Sequence, residues 1–522
     1  MDITTNIAIK QSQHHTHKST TIITSTRIAL CGAMMYFCSL IFTGCATDLS
    51  SLNTFSTSYY EHSPHKAYEF ATKKSKNNTD FLWAFQAGVS AYTAGERQAN
   101  EILDKSEKIF NHFESEGLLS SGLAQTGATL VNDNAMAYRG NIYEGVFINY
   151  YKALDRMLYQ DFSGARVEFN RANDRQRRAK DYYTKQIMQA MENEQERYNS
   201  SDATKNIKQD KSQLETESIL KAKYTNLDNF KAFDTFINPA VSYMAGLFFA
   251  LQQDSKGVEY LKEAYGITHS KTIGDDIVHF TSSPQAQQTQ YYTWILLEEG
   301  KQAHKTELEF NLPIWTTSGL YHFGIALPQI HNGLSFYQHY ALQISQKDII
   351  NADFIIFEEI TNTDTIISTE FEKQLRAITT RSIVSASIKL AGQVGLAKGF
   401  EQVNQSAGLL ASLVGSIYTM ATTHADLRIA SVLPHKILLA KIPSTFSAQE
   451  EIIFFADNTP LATIKFHDCA PTLESKAESK IKSKAESKHK QAYMMCQNQN
   501  NILYIRQTKN STILKTLYQK ND

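Results

Sequence analysis

Cys469 and Cys496 are the residues of this sequence whose type and placement most directly suggest chemistry. They bracket a polar insertion. Three readings of them stand side by side: a disulfide that clips the base of the insertion, two free thiols, or a metal site completed by His467 or His489. Elsewhere the usual chemical signatures are missing, with no H-E-x-x-H helix, no C-x-x-C and no G-x-x-x-x-G-K phosphate loop. The stretch "NGLSFY" comes nearest to a nucleophile elbow, but Tyr337 occupies the place of its second glycine. His322, His331 and His339 are spaced as no common metal motif is, and are expected to be separate surface histidines. Glu298/Glu299 and Glu358/Glu359 are adjacent pairs, and neighbours on a strand point to opposite faces. Neither pair is therefore expected to act on one substrate, and no catalytic residue, metal or cofactor is predicted.

A third cysteine, Cys45, closes the stretch "FCSLIFTGCATD". Upstream stand Lys10, Lys18 and Arg27, followed by an uncharged run from Ile28 to Gly44. That run falls short of the ~20 apolar residues that span a bilayer. It has the order of a secretory signal: basic leader, apolar core, small residues before a boundary. Phe42-Thr43-Gly44-Cys45 resembles the lipobox of bacterial lipoproteins, although Phe42 stands where leucine is usual. The resemblance implies removal of residues 1–44 and diacylation of the Cys45 thiol. Ala46, in place of aspartate, implies outer-membrane sorting, with the body expected to face the periplasm. An ordinary cleaved signal and an uncleaved anchor are the competing readings.

The elements behind these residues divide the chain. Removing residues 1–44 from the 522 leaves 478, for which two to four domains are expected. Lys+Arg 52 against Asp+Glu 53 gives no electrostatic case for nucleic acid. Residues 45–65, rich in Ser, Thr and Tyr, read as a flexible tether. Helical periodicity governs 66–276. After it come strand patterns such as "YYTWILLEEG", "YHFGIALP", "HKILLAKIP", "EEIIFFA" and "NILYIRQT", predicting an antiparallel β-rich domain over 277–522. A helical hairpin is expected as an insert at 370–424, and "SKAESKIKSKAESKHK" marks a low-complexity loop at 473–491.

Within the helical half, three sets share the same spacing of small and large residues: Ala87/Ala99/Leu103/Ser106, Ala153/Ala165/Phe169/Ala172 and Ala245/Gly257/Leu261/Ala264. The spacing resembles the helix-turn-helix of tetratricopeptide (TPR) repeats, where small residues let two helices approach closely. Tyr143, Tyr150, Tyr151, Arg171 and Arg175 are the candidates for lining a partner-binding groove on such a surface.

The segment "LVNDNAMAYRGNIYEGVFINYYKALDRMLYQDFSGARVEFNRANDRQ" is similar to the core of a family of bacterial TPR-like lipoproteins. The likeness rests on Asn132, Asp133, Tyr138, Gly140, Tyr143, Glu144, Asn149, Tyr151, Ala165, Arg166, Glu168, Arg171, Ala172 and Gln176. Gly145 stands where the family more often has a bulky or charged residue. "ADLRIASVLP" resembles a second family segment through Asp426, Arg428, Leu433 and Pro434, with Ala430 replacing a tryptophan. Members are often encoded near lipoprotein activators of penicillin-binding proteins, which implies the cell envelope and a link to cell-wall synthesis. The expectation is an α+β, lipid-anchored, non-catalytic scaffold that binds envelope proteins. A cell-wall or carbohydrate-active enzyme with its site in the β-rich half, or a plain structural spacer, are the alternatives.

Overall fold

The computed structural model describes residues 49–75, 80–116, 137–201, 205, 208–225, 236–283, 290–316, 319–345, 354–401, 425–446, 450–469 and 492–519. Cys45, the loop at 473–491 and the expected return half of the helical insert lie outside them.

Local sequence sets the helix boundaries. Asp80 accepts from the Trp83 amide to start α3 (Phe81–Ala94), and Gly95, at φ 82°, ends it. Glu144 reaches back 2.7 Å to the Asn141 amide at the start of α5 (Ile142–Leu158). Asp161 caps α6 (Phe162–Ser200), while Asn238 with Pro239 starts α8 (Pro239–Leu251). Between and after these come α4 (Ala99–Glu116), α7 (Gln209–Lys223), α9 (Lys256–Thr268) and α10 (Lys271–Thr281). The three repeat-like sets fall on the three helix hairpins α3/α4, α5/α6 and α8/α9, with all their residues buried. Contact is close enough that a Cβ on Gly246 would lie 2.8 Å from the Leu261 amide nitrogen. A Cβ on Gly145 would lie 2.5 Å from the Phe110 ring, so here the α4–α5 contact demands glycine.

The expected tether is instead structured. Residues 49–62 form α1 (Leu49–Thr57) and a π-helical turn (Ser58–His62), followed by α2 (Pro64–Lys74). Phe55, Tyr59 and Tyr60 are buried. The Ser/Thr composition concealed this helix because Thr54 and Ser58 donate their hydroxyls back to the carbonyls four residues earlier.

Two five-stranded sheets and a hairpin follow. The first sheet has the order β12-β11-β1-β7-β6, from β1 (Tyr292–Glu299), β6 (Glu358–Asn362), β7 (Lys436–Pro443), β11 (Asn501–Gln507) and β12 (Thr512–Gln519). The second runs β10-β9-β8-β4-β5, from β4 (Tyr340–Ser345), β5 (Phe354–Ile356), β8 (Glu451–Ala456), β9 (Thr459–His467) and β10 (Tyr493–Cys496). Among the described residues, β2 (His304–Thr316) pairs with β3 (Gly319–His331) alone. The sheets are mixed rather than antiparallel: β1 runs parallel to β11, and β9 to β10. β1 and β11 are distant in the chain and a long connection separates β9 from β10, so no tight turn forces either pair antiparallel.

Three layers result. Trp294, Leu296, Leu439, Ile502 and Tyr504 of the first sheet pack with the helices. Ile295, Leu297, Leu438, Leu503 and Ile505, on its other face, pack with Leu342, Ile452, Phe454 and Phe466 of the second sheet. Covered on both sides, β1 and β11 need near-continuous apolar sequence, as "WILL" and "ILYI" supply. The helix-packed face of the first sheet belongs to the same core as α1 to α10, and the helices and sheets form one compact unit. The boundary expected at 276/277 therefore does not divide the core. The insert begins earlier than 370, as the 39-residue helix α11 (Thr363–Glu401), about 58 Å long at 1.5 Å per residue.

Candidate functional site: buried polar seams and an open sheet edge

The motif residues converge inside the molecule. Tyr138 donates to both oxygens of Glu144 at 2.9 Å, and Glu144 also receives the amides of Asn141 and Ala430. The segments around Tyr138–Glu144 and Ala430 therefore meet at one carboxylate. Ala430 is fully buried. Arg428 lies over the Tyr138 ring and is held by both Asp426 oxygens. Ser431 donates through its amide and hydroxyl to Gln86. The segment "ADLRIASVLP" thus joins helices α3 and α5 to the sheet.

A second seam runs through α4, α5 and α6. Lys152 reaches Asp104 at 2.6 Å, Glu107 at 2.5 Å and Glu168 at 3.0 Å, and Asn149 donates to Glu107 and Glu168. Arg175 adds Glu114 and Asn111. Burial opposes the charge on Glu107, but the Lys152 and Asn149 hydrogen bonds outweigh it and hold its carboxyl below the usual range.

Sequence reasoning missed the third seam. Glu298 accepts from Tyr151 at 2.7 Å and Tyr504 at 2.8 Å, and it is the register partner of Arg506 across β1/β11. Arg506 is fully buried and donates to Tyr59, Tyr60 and the carbonyls of Gly300 and Val432. The charges of Glu298 and Arg506, near the ends of two mostly apolar strands, were the available signal. Asp276 is likewise buried between Lys441 at 2.6 Å, the Trp294 indole at 2.9 Å and Tyr243 at 2.8 Å. Glu299 points to the other face and accepts from Ser335, as alternation along the strand requires.

These positions correct the expected groove. Tyr143, Tyr150, Tyr151 and Arg175 are 3%, 0%, 1% and 6% exposed, so they are interior residues. The aromatic stripe of α5 faces the core because helices surround it and the sheet covers it. Only Arg171 is open, 53% exposed and paired with Glu168 at 3.0 Å. Cys469 and Cys496 are joined as a disulfide, with Cα atoms 5.4 Å apart. His322 and His339 are exposed, and His331 meets Thr306 at 2.7 Å. A cleft lined by Phe110, Phe113, Glu114, Arg139, Tyr182 and Tyr183 has room for little more than a water molecule.

The open apolar surface lies elsewhere. β5 ends the second sheet, and Phe354 and Ile356 on it are 56% and 64% exposed. Ile356 is level with Ala341, which is level with Phe455, and the Phe354 and Phe455 rings touch. The row gives an apolar stripe beside an edge that has no strand partner among the described residues.

Comparison with protein-family models, with curated proteins and with solved structures returned no match to this chain.

Proposed function

We propose that the chain is a lipid-anchored, non-catalytic scaffold that binds protein partners in the bacterial cell envelope. Anchoring rests on the lipobox-like Phe42–Cys45. Two acyl chains on Cys45 would supply the pair of signals that stable membrane attachment requires. Within this proposal the three helix hairpins are TPR-like units, and the family resemblance supports a role linked to cell-wall synthesis at the outer membrane.

The observation that carries the binding role is the β5 edge. An edge strand offers unpaired backbone groups, and two exposed apolar side chains beside them suit an extended segment of a partner protein that adds as a further strand. The buried carboxylates point the same way, since Glu144, Glu298 and Asp276 are engaged by internal partners that join helix to sheet.

A photo-crosslinking residue at position 356 in cells is expected to trap a discrete envelope protein, and Phe354→Asp in the same chain to abolish the product without lowering stability. Crosslinking that yields no discrete product, or survives Phe354→Asp, removes the proposed edge. Turnover of purified cell-wall material by the chain would overturn the non-catalytic assignment. Cys45→Ser is expected to release the protein from the membrane fraction.

A further inference from the structure

The Cys469–Cys496 bridge sits against His467, and the three side chains form a cluster that disulfide formation alone does not explain. His467 ends β9 and Cys496 ends β10; the two are register partners in a parallel pair. Cys469 lies two residues beyond His467, and the ligand-capable atoms of all three residues lie within 4.8 Å of one another. Cys469 Sγ is 3.6 Å from His467 Nε2 and 3.8 Å from Nδ1.

We propose that the reduced form of this cluster is a binding site for a thiophilic divalent cation of the zinc class, which the disulfide closes. The geometry is the first reason. A tetrahedral centre with Zn–S of about 2.3 Å and Zn–N of about 2.05 Å sets its sulfur and nitrogen ligands roughly 3.6 Å apart. Cys469 Sγ and His467 Nε2 already hold that separation. The two sulfurs must part, to about 3.8 Å by the same tetrahedral construction, and Cys496 Sγ, within 4.8 Å of the imidazole, must close to the same sulfur–nitrogen spacing.

The second reason is independent of the sulfurs. His467 Nδ1 lies 3.1 Å from the backbone oxygen of Asp468. A carbonyl only accepts, so Nδ1 carries the hydrogen and the Nε2 lone pair is free to bind metal. A second hydrogen bond of this kind is what orients metal-binding imidazoles in general. Cys496 is buried while His467 and Cys469 are half-buried, so the cluster has an inner wall and a solvent side. Two thiolates and one imidazole leave the fourth position to water.

The chemistry balances with a dithiol as reductant. It transfers two electrons and two protons to the bridge, breaking the S–S bond and yielding two cysteine thiols and one oxidised dithiol. Metal binding then releases the two thiol protons, leaving two thiolates on the cation. The oxidised pair has no thiolate to offer. Metal and disulfide are therefore mutually exclusive states of one site.

The full chain, reduced with a phosphine and desalted without oxygen, would be titrated with Cd2+ and the cadmium–thiolate charge-transfer absorption followed. Zinc-edge X-ray absorption of the Zn2+ form would count the ligands. Any of Cys31, Cys38 and Cys45 that stays in the chain with a free thiol could also bind metal, so each result is compared with Cys496→Ser in the same chain. The expected result is one additional equivalent bound by the reduced chain relative to Cys496→Ser, and none by the oxidised chain. Affinity is expected to fall about tenfold or more in His467→Ala, and the zinc shell to hold two sulfurs and one imidazole. His467→Ala leaves the bridge intact, so circular dichroism of its oxidised form separates a lost ligand from a lost fold. Binding unchanged in His467→Ala, no excess over Cys496→Ser, or an all-sulfur shell would each overturn the proposal.

Discussion

Lys152→Met tests whether the polar seam between α4, α5 and α6 holds these helices together. The substitution keeps the length of the side chain and removes its charge. Lys152 is almost fully buried and lies 2.5 Å from Glu107 and 3.0 Å from Glu168, both of them buried as well. At an effective dielectric near 20, each such contact corresponds to roughly 6 kcal/mol of attraction. Removing the ammonium from water opposes that gain by several kcal/mol. Asp104, 44% exposed, adds little because solvent screens it. The variant leaves two buried carboxylates with Arg175 and Arg171 as the remaining nearby cations, and a loss of about 3–5 kcal/mol is expected. Urea denaturation near pH 7 reads it. The same comparison near pH 4.5 should show a smaller loss. Without Lys152, burial of the Glu107 carboxyl is opposed by fewer partners, and protonation there relieves the repulsion. Adding Glu168→Gln should recover part of the stability at pH 7. A loss below about 1 kcal/mol, or one that does not change with pH, would refute the view that this seam is an electrostatic staple.

Glu370 gives a second pH test, because burial raises its carboxyl to about 8 against the hydrogen bond from Tyr183. The folded state keeps a proton that the unfolded chain loses, so this contribution is full below the ordinary carboxylate range and fades as pH rises through about 8. Glu370→Gln should flatten that decline in urea denaturation and be the more stable form at pH 8.5, by up to about 5 kcal/mol. Gly145→Ala should lower stability by about 1–3 kcal/mol, since the new methyl meets the Phe110 ring; Phe110→Leu in the same chain should recover part of it. Phe354→Asp with Ile356→Asp should shift the urea midpoint little, because both side chains are exposed.

Elements with local signals were legible in the sequence. The capped helices, the three hairpins and strands such as β1, β7, β8 and β11 follow from periodicity, small-residue spacing and turn chemistry. β10 was not, because "YMMC" is too short to show alternation and follows a polar insertion. Nor was the mixed pairing of the sheets, since nothing local says that "WILL" and "ILYI" lie side by side. The groove candidates failed for a related reason. A helix stripe of Tyr143, Tyr150 and Tyr151 looks the same whether it faces a partner or its own sheet. Arg506 illustrates the limit, because its phenol partner Tyr59 is 447 positions away.

The pairing of β1 with β11 also bears on how the molecule comes into being. Asn501 and Thr293, neighbours in the finished sheet, are 208 residues apart. A ribosome delivers the earlier strand long before the later one, so the nascent chain carries a bare greasy ribbon through much of its synthesis. Because contacts between distant residues form slowly, that interval favours chaperone capture and leaves shortened products exposed to proteolysis. A stop codon ahead of "NILYIRQT" would remove few amino acids and yet deny the middle layer its central neighbour.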